Sequence, residues 1–323
     1  MDRLLDLLHR YRYALAPLSF GAGLASFLLI ERRAYLAQWL SVLLLLGWLM
    51  ILFESAAYRV LRLKPALLRY GIQAIQQETF FFVLPFFLHT TTWTTGQAAF
   101  TGAAIVAALC SMWDPLYYGR VVTRPALYLA FHAFSVFVGT LTIGPLLLQL
   151  SSGQTLQLAG ASVAVFSAPA LLHLVDRRRA MHWLLLFGGA AALGASAWLL
   201  RPIVPPATLW VEDGVITDRV DAEQRVPGEA FKLITPEQAH RQGLYAWTSI
   251  HAPRGLTEQI FHRWLLNGTE VDRVPLQITG GRAQGYRAWS YKRGFPADPR
   301  GHWRVQAVTE SGQLIGQIEF DIM

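Results

Sequence analysis

One stretch divides the chain and restricts what either side can become. Residues His182–Arg201 read HWLLLFGGAAALGASAWLLR, with charge only at the edges, and Pro202-Ile203-Val204-Pro205-Pro206 follows at once. A helix of about 20 residues at ~1.5 Å rise per residue crosses ~30 Å of hydrocarbon. The prolines that follow cannot continue it, since each lacks the N–H that a helix interior needs. Ahead of this seam the chain carries long apolar runs; beyond it come short alternating ones broken by turn residues.

Composition splits at the same place. Of 323 residues, 53% are hydrophobic and 15% charged, with a mean hydropathy of +0.33. From Pro202 onward there are 13 Lys/Arg and 14 Asp/Glu, against 15 and 7 in Met1–Arg201, so the whole positive excess lies in the apolar half. Loop arginines that fix orientation explain a pI near 9.7 better than nucleic-acid binding does, and no nucleic-acid partner is expected. The single cysteine, Cys110, lies in an apolar run, so no disulfide can form within the chain. Tyr13–Ile30 is too long for the apolar core of a signal peptide and no small-residue cleavage site follows it.

Seven apolar spans are read: Tyr13–Ile30, Leu36–Leu52, Ile72–Thr91, Gln97–Trp113, Pro125–Leu148, Leu156–Val175 and Trp183–Leu200. Alternate loops carry 12 and 2 Lys/Arg, which places the N-terminus in the cytoplasm and, after seven crossings, the C-terminal part outside. The expected fold is therefore a transmembrane all-α bundle of about seven helices, residues 1–201, then a linker and entry segment, 202–228, and an extracytoplasmic immunoglobulin-like β-sandwich, 229–323. The expected location is a bacterial inner membrane, with membrane lipids as partners. Small residues at four-residue spacing, Gly160/Ala164 and Ala190/Gly194, let helices approach closely. Polar residues inside or at the ends of the spans, Glu54, Glu78, Asp114, His132 and His173, form a candidate intramembrane cluster, with Glu78 and His132 at similar depth. Pairing to loop arginines or backbone carbonyls is the competing structural reading.

Beyond the seam, strands are expected at Thr208–Val211, Leu244–His251, Glu258–Leu266, Val271–Thr279, Gly285–Lys292, His302–Val308 and Leu314–Ile322. Asn267-Gly268 marks a hairpin, and Thr235-Pro236-Glu237 starts a helical turn. His262-Arg263-Trp264 before the Asn-Gly turn, Gly280-Gly281-Arg282, Gly285-Tyr286-Arg287-Ala288-Trp289-Ser290, Gly301-His302-Trp303-Arg304-Val305 and Ser311-Gly312 follow in order. In this order they resemble a bacterial domain of unknown function, the domain-of-unknown-function 2914 type, which closes multi-span membrane proteins of proteobacteria. The resemblance runs from roughly Ala230 to Ile322, and the apolar half resembles the uncharacterised segment found with that domain. It implies an inner-membrane protein with a periplasmic sandwich and brings no activity.

Alternation puts Arg287, Trp289 and Tyr291 on one strand face and His262 with Trp264 on another. If these strands are neighbours, His262, Trp264, Arg287, Trp289 and Arg304 make a binding patch for an anionic sugar or a partner's acidic and aromatic residues. Burial of the tryptophans in a core is the competing reading. No HExxH, GxSxG, P-loop or clustered Cys/His pattern occurs, so no catalytic residue, metal or cofactor is assigned. The leading expectation is a non-enzymatic membrane protein presenting a binding module to an envelope protein or glycan. A transporter or lipid-handling protein built on Glu78 and His132, and a membrane-embedded enzyme, are the alternatives.

Overall fold

The computed structural model describes residue 42 and residues 65–172, 180–253, 256–279 and 285–323. The chain divides into two compact units. The first holds Ala99–Leu148, Gln154–Leu200 and the chain up to Leu88; the second holds Arg201–Met323 with the short segments His89–Ala98 and Gln149–Gly153.

The helical unit is built from α1 (Pro65–Thr90), α2 (Gln97–Met112), α3 (Pro125–Leu148), α4 (Ser152–Leu172) and α5 (Ala180–Leu199). Phenylalanines join the first three. Phe80 packs edge-on against Phe131 at 5.2 Å, Phe87 against Phe100 at 5.3 Å, and Phe100 against Phe134 at 5.6 Å. Helices α4 and α5 cross at small residues: a Cβ added at Gly194 would stand 3.1 Å from the Gly160 carbonyl oxygen.

The expected fold class, a seven-span bundle ahead of an immunoglobulin-like domain, is corrected here. Among the described residues one helix, α3, is long and apolar enough to cross a membrane, or two if the bent pair Gln97–Met112 and Asp114–Val121 counts as one span. No seven-span bundle is evident among the described residues, and the C-terminal region is β-rich. The reasons are local. Helix α1 carries the polar block Gln73, Gln76, Gln77 and Glu78 in its interior. Helix α2 is only 16 residues long, and the chain turns by 97° at Trp113 before a short helical turn, Asp114–Leu116, and a wide π turn, Tyr117–Val121. The first two expected spans lie outside the described residues, residue 42 apart.

The second unit contains β1 (Trp210–Thr217), β2 (Val220–Asp221), β3 (Val226–Pro227), β4 (Leu233–Ile234), β5 (Leu244–His251), β6 (Thr257–Leu266), β7 (Thr269–Thr279), β8 (Tyr286–Lys292), β9 (Gly301–Thr309) and β10 (Leu314–Ile322). One sheet has the order β1-β5-β8, a second β4-β10-β9-β6-β7, and β2 pairs with β3 alone. Alternation supplies the inner faces: Ala246 and Ile250 from the first sheet meet Ile260, Trp264, Trp303, Val305 and Phe320 from the second. Trp264 and Trp303 are fully buried, and Trp303 stacks on Phe320 at 5.9 Å.

Each of the seven expected strands has a counterpart. The first was read too short because Glu212-Asp213-Gly214 resembles a turn; an irregularity in the pairing between Val211 and Asp213 lets β1 continue to Thr217. Asn267 (φ 48°) and Gly268 (φ 86°) form the β6–β7 hairpin turn. The turn begun at Thr235 is a short helix, α6 (Pro236–Gln242), closed by a capping box between Thr235 and Gln238.

Candidate functional site

The β unit separates the five residues of the expected patch into three places. His262 and Trp264 point inward from β6 and are fully buried. Arg304 leaves β9 on the outer face of the five-stranded sheet, in register with Glu319, and its Nε is buried without a hydrogen-bond partner among the described residues. Arg287 and Trp289 leave β8 on the outer face of the three-stranded sheet. The strands carry the expected alternation, but β6 and β8 belong to different sheets, so no single patch forms.

The inward pair builds a polar knot in the core. His262 Nδ1 lies 2.9 Å from Ser290 Oγ, and its Nε2 lies 3.0 Å from Thr248 Oγ1. Trp264 Nε1 donates to the same Ser290 oxygen at 3.1 Å. A neutral imidazole donates through one nitrogen and accepts through the other, so two hydroxyls satisfy it. Burial pushes the His262 pKa down to about 3.

The outward face of the three-stranded sheet is aromatic. In the β5–β8 register, Tyr245 opposes Tyr291, Trp247 opposes Trp289, and Ser249 opposes Arg287. Tyr245 and Tyr291 stack with ring centroids 4.5 Å apart. Tyr291 is 41% exposed, Tyr245, Trp289 and Arg287 are half-buried, and Trp247 is buried. Trp247 Nε1 donates to the Arg225 carbonyl at 3.1 Å, and Arg287 Nη1 donates to the Gln224 carbonyl at 3.2 Å. Residues 218–228, which contain β2 and β3, are thereby fastened to this face. Lys292, one step beyond Tyr291, points the other way; it is buried and ion-paired with Asp272 at 3.0 Å. Strand period alone places Arg287, Trp289 and Tyr291 on one face; Tyr245 and Trp247 lie outside the expected patch, and Tyr-x-Trp at the same period is the signal that points to them.

Of the expected intramembrane cluster, Glu54 and His173 lie outside the described residues. Glu78 is half-buried on α1. His132, buried on α3, donates through Nε2 to the Phe166 carbonyl at 3.3 Å, while its Nδ1 has no hydrogen-bond partner among the described residues, so the ring does not pair with Glu78. Asp114 instead joins a network on α1. Gln73 Nε2 donates to Asp114 Oδ1 at 3.1 Å and to the Ser111 carbonyl at 2.9 Å. Tyr118 donates to Gln73 Oε1 at 2.7 Å, and Tyr117 donates to Gln76 Oε1 at 2.6 Å. The glutamine block was the signal for this network; its tyrosine partners, more than 40 residues away in sequence, were not visible.

The Tyr117–Gln76 pair sets up a double-mutant test. Both side chains are almost fully buried, and Gln76 Nε2 has no partner among the described residues. Tyr117→Phe is expected to destabilise the helical unit by about 1–3 kcal/mol, because it also orphans Gln76 Oε1. Adding Gln76→Leu is expected to recover most of that loss. Thermal midpoints in detergent check this, and additive losses would contradict it.

The fold and this face define a chain with a helical unit and a β-rich C-terminal unit whose outer sheet surface carries tyrosine, tryptophan and arginine. The chain belongs to the family of unknown function DUF5924, which matches residues 1–246, and the protein of unknown function family DUF2914 matches residues 257–322. No curated protein and no solved structure matches the chain. The family boundary falls inside the β unit: β1 and the start of β5 lie in the first match, and β8 lies in the second. The three-stranded sheet is therefore completed by both segments together. Among the described residues no group of three or more His, Cys, Asp or Glu side chains is placed to hold a metal ion.

Proposed function

We propose that the chain is a membrane-anchored interaction protein whose C-terminal β unit recognises a partner in the bacterial envelope, with the β unit on the periplasmic side. The observation that carries this reading is the outward face of the β1-β5-β8 sheet, where Tyr245, Arg287, Trp289 and Tyr291 stand together. Tyrosine, tryptophan and arginine are the residues that most often dominate protein interfaces, since they combine large apolar area with a polar handle. Membrane anchoring is supported by α3 and by large apolar side chains more than half exposed on α2 and α5: Val106, Leu109, Leu184, Phe187 and Leu199.

A photo-crosslinking amino acid at Tyr291 of the full-length protein, in cells of its native host, tests this. It is expected to give a discrete adduct that Trp289→Ala and Arg287→Ala each reduce by roughly 30-fold or more, as loss of about 2 kcal/mol implies. A crosslinker at Gln306, on the other sheet, is expected to give no such adduct. Identical adducts from both positions, or an adduct indifferent to both substitutions, would sink the reading.

A further inference from the structure

The aromatic face is not bare: residues of the same chain lie against it. Residues 218–228 leave β1, fold into a hairpin and return, forming a strap. The strap is ordered from within: Asp221 Oδ1 accepts from the backbone N–H groups of Glu223 and Gln224, both at 2.9 Å, and the Gly228 N–H donates to the Arg219 carbonyl at 2.9 Å. Its β2–β3 ladder is only two residues long on each side. Its tip is set by Arg225 at φ 56°, in the left-handed region that a non-glycine residue seldom occupies.

The strap's fastening is asymmetric. The sheet supplies side-chain donors, Trp247 Nε1 and Arg287 Nη1. The strap supplies two consecutive backbone carbonyls, those of Gln224 and Arg225. No side chain of the strap takes part in these two bonds, although Arg225 also lies over the Tyr286 ring at 5.6 Å. Any polypeptide turn that displays two successive carbonyls at this spacing offers the same acceptors. At the position facing Arg287 a carboxylate would serve better than a carbonyl, because it carries the charge opposite to the guanidinium and can accept two parallel N–H donors where the carbonyl accepts one.

We propose that the outer face of the β1-β5-β8 sheet is a peptide-docking surface held in reserve by the chain's own strap, and that a partner's acidic, turn-forming polypeptide segment takes the strap's place. The inference rests on the reading of this face as the partner-binding surface, and it adds the kind of partner and the gate. The tether gives the strap an effective concentration in the millimolar range, so a free segment competes only when it binds better than the strap does.

The experiment uses the full chain in detergent, unmodified or with residues 219–227 replaced by a Gly/Ser linker of equal length. The probe is a fluorescent synthetic peptide of residues 217–229; the same peptide carrying Gln224→Glu is expected to bind the linker variant more tightly, and equal or weaker binding overturns the preference for an acidic segment. The linker variant is expected to bind the peptide saturably, and at least tenfold more tightly than the unmodified chain does. Arg287→Ala in the linker variant is expected to abolish the difference. Equal binding to both chains, or no saturable binding to a linker variant with native near-ultraviolet circular dichroism, overturns the proposal. Amide exchange on the unmodified chain keeps it testable if the linker variant does not fold. Glu223, Gln224 and Gly228 are expected to exchange at least a hundredfold faster than the β5–β8 ladder, and equal protection overturns the proposal. The peptide assay contains no envelope component. Peptide binding without a crosslink in cells therefore sinks only the envelope reading, and a crosslink without peptide binding sinks only the strap.

Discussion

His262→Ala is expected to lower the stability of the β unit by roughly 3–5 kcal/mol, read as a fall in its thermal midpoint of roughly 10–20 °C. Two losses add. The substitution empties space in a core where His262 is fully buried between Trp264 and the hydroxyls of Thr248 and Ser290. It also strips Thr248 Oγ1 and Ser290 Oγ of the imidazole. His262→Gln, which can reach a hydroxyl with each end of its amide, is expected to recover a good part of the loss. A near-silent His262→Ala would show that the polar knot is incidental to the fold.

The same histidine makes stability depend on pH with a definite sign. Its folded pKa, about 3, lies below the ordinary 6.5, so between these values the unfolded chain binds the proton and the folded chain does not. The His262 contribution is therefore complete above about pH 6.5 and is lost as pH falls toward 3, at up to about 1.4 kcal/mol per pH unit. Glu258 works the other way. It is buried on β6, where its Oε2 accepts the Ser152 backbone N–H at 2.7 Å, and burial raises its pKa above the usual carboxylate range. The folded state then holds its proton more tightly than the unfolded state, so acidification from above its raised pKa down to the ordinary 4.5 favours folding. His262→Gln is expected to flatten the acid side of the stability profile, and Glu258→Gln to steepen it. Equal slopes in all three proteins would contradict both assignments.

Much of the β unit was legible because strand period and turn chemistry are local. In β10 the buried Leu314, Phe320 and Ile322 alternate with more exposed Gln317, Glu319 and Asp321, and Asn267-Gly268 marks the β6–β7 hairpin by residue type alone. What alternation cannot say is which sheet a strand joins. His262 on β6 and Arg287 on β8 both follow the period-2 rule, yet one faces the core of the five-stranded sheet and the other the outside of the three-stranded one. The five expected residues are therefore divided between the two sheets, and Arg287 and Trp289 stand opposite Ser249 and Trp247 of β5. In the helical unit, apolar length was over-read as crossing. A glutamine block is costly in hydrocarbon and cheap beside tyrosine hydroxyls, and the tyrosine partners of Gln73 and Gln76 lie 45 and 41 residues away, where no periodicity reaches.

Gly285→Val is expected to be as damaging to the candidate face as His262→Ala is to the core, with a loss of roughly 3–4 kcal/mol. Gly285 sits at φ 71°, just before β8, and a β-branched residue there is a true conformational outlier. Space forbids the change as well. A Cβ at this position would meet Ser249 Oγ at 2.5 Å and the Ile250 backbone at 3.2 Å, so β5 itself would have to move. Because β5 and β8 are joined in register from Leu244–Lys292 to Ile250–Tyr286, relief of the clash displaces the rows Ser249–Arg287 and Trp247–Trp289 together. The expected signature is therefore double: a lower midpoint and a lost Tyr291 crosslink. Gly294→Val, at a glycine whose added Cβ meets nothing within 4 Å, is expected to change neither. A Gly285→Val protein that keeps its midpoint would mean that the β5–β8 pairing tolerates a shift, and the alignment of arginine, tryptophan and tyrosine on this face would then carry no functional weight.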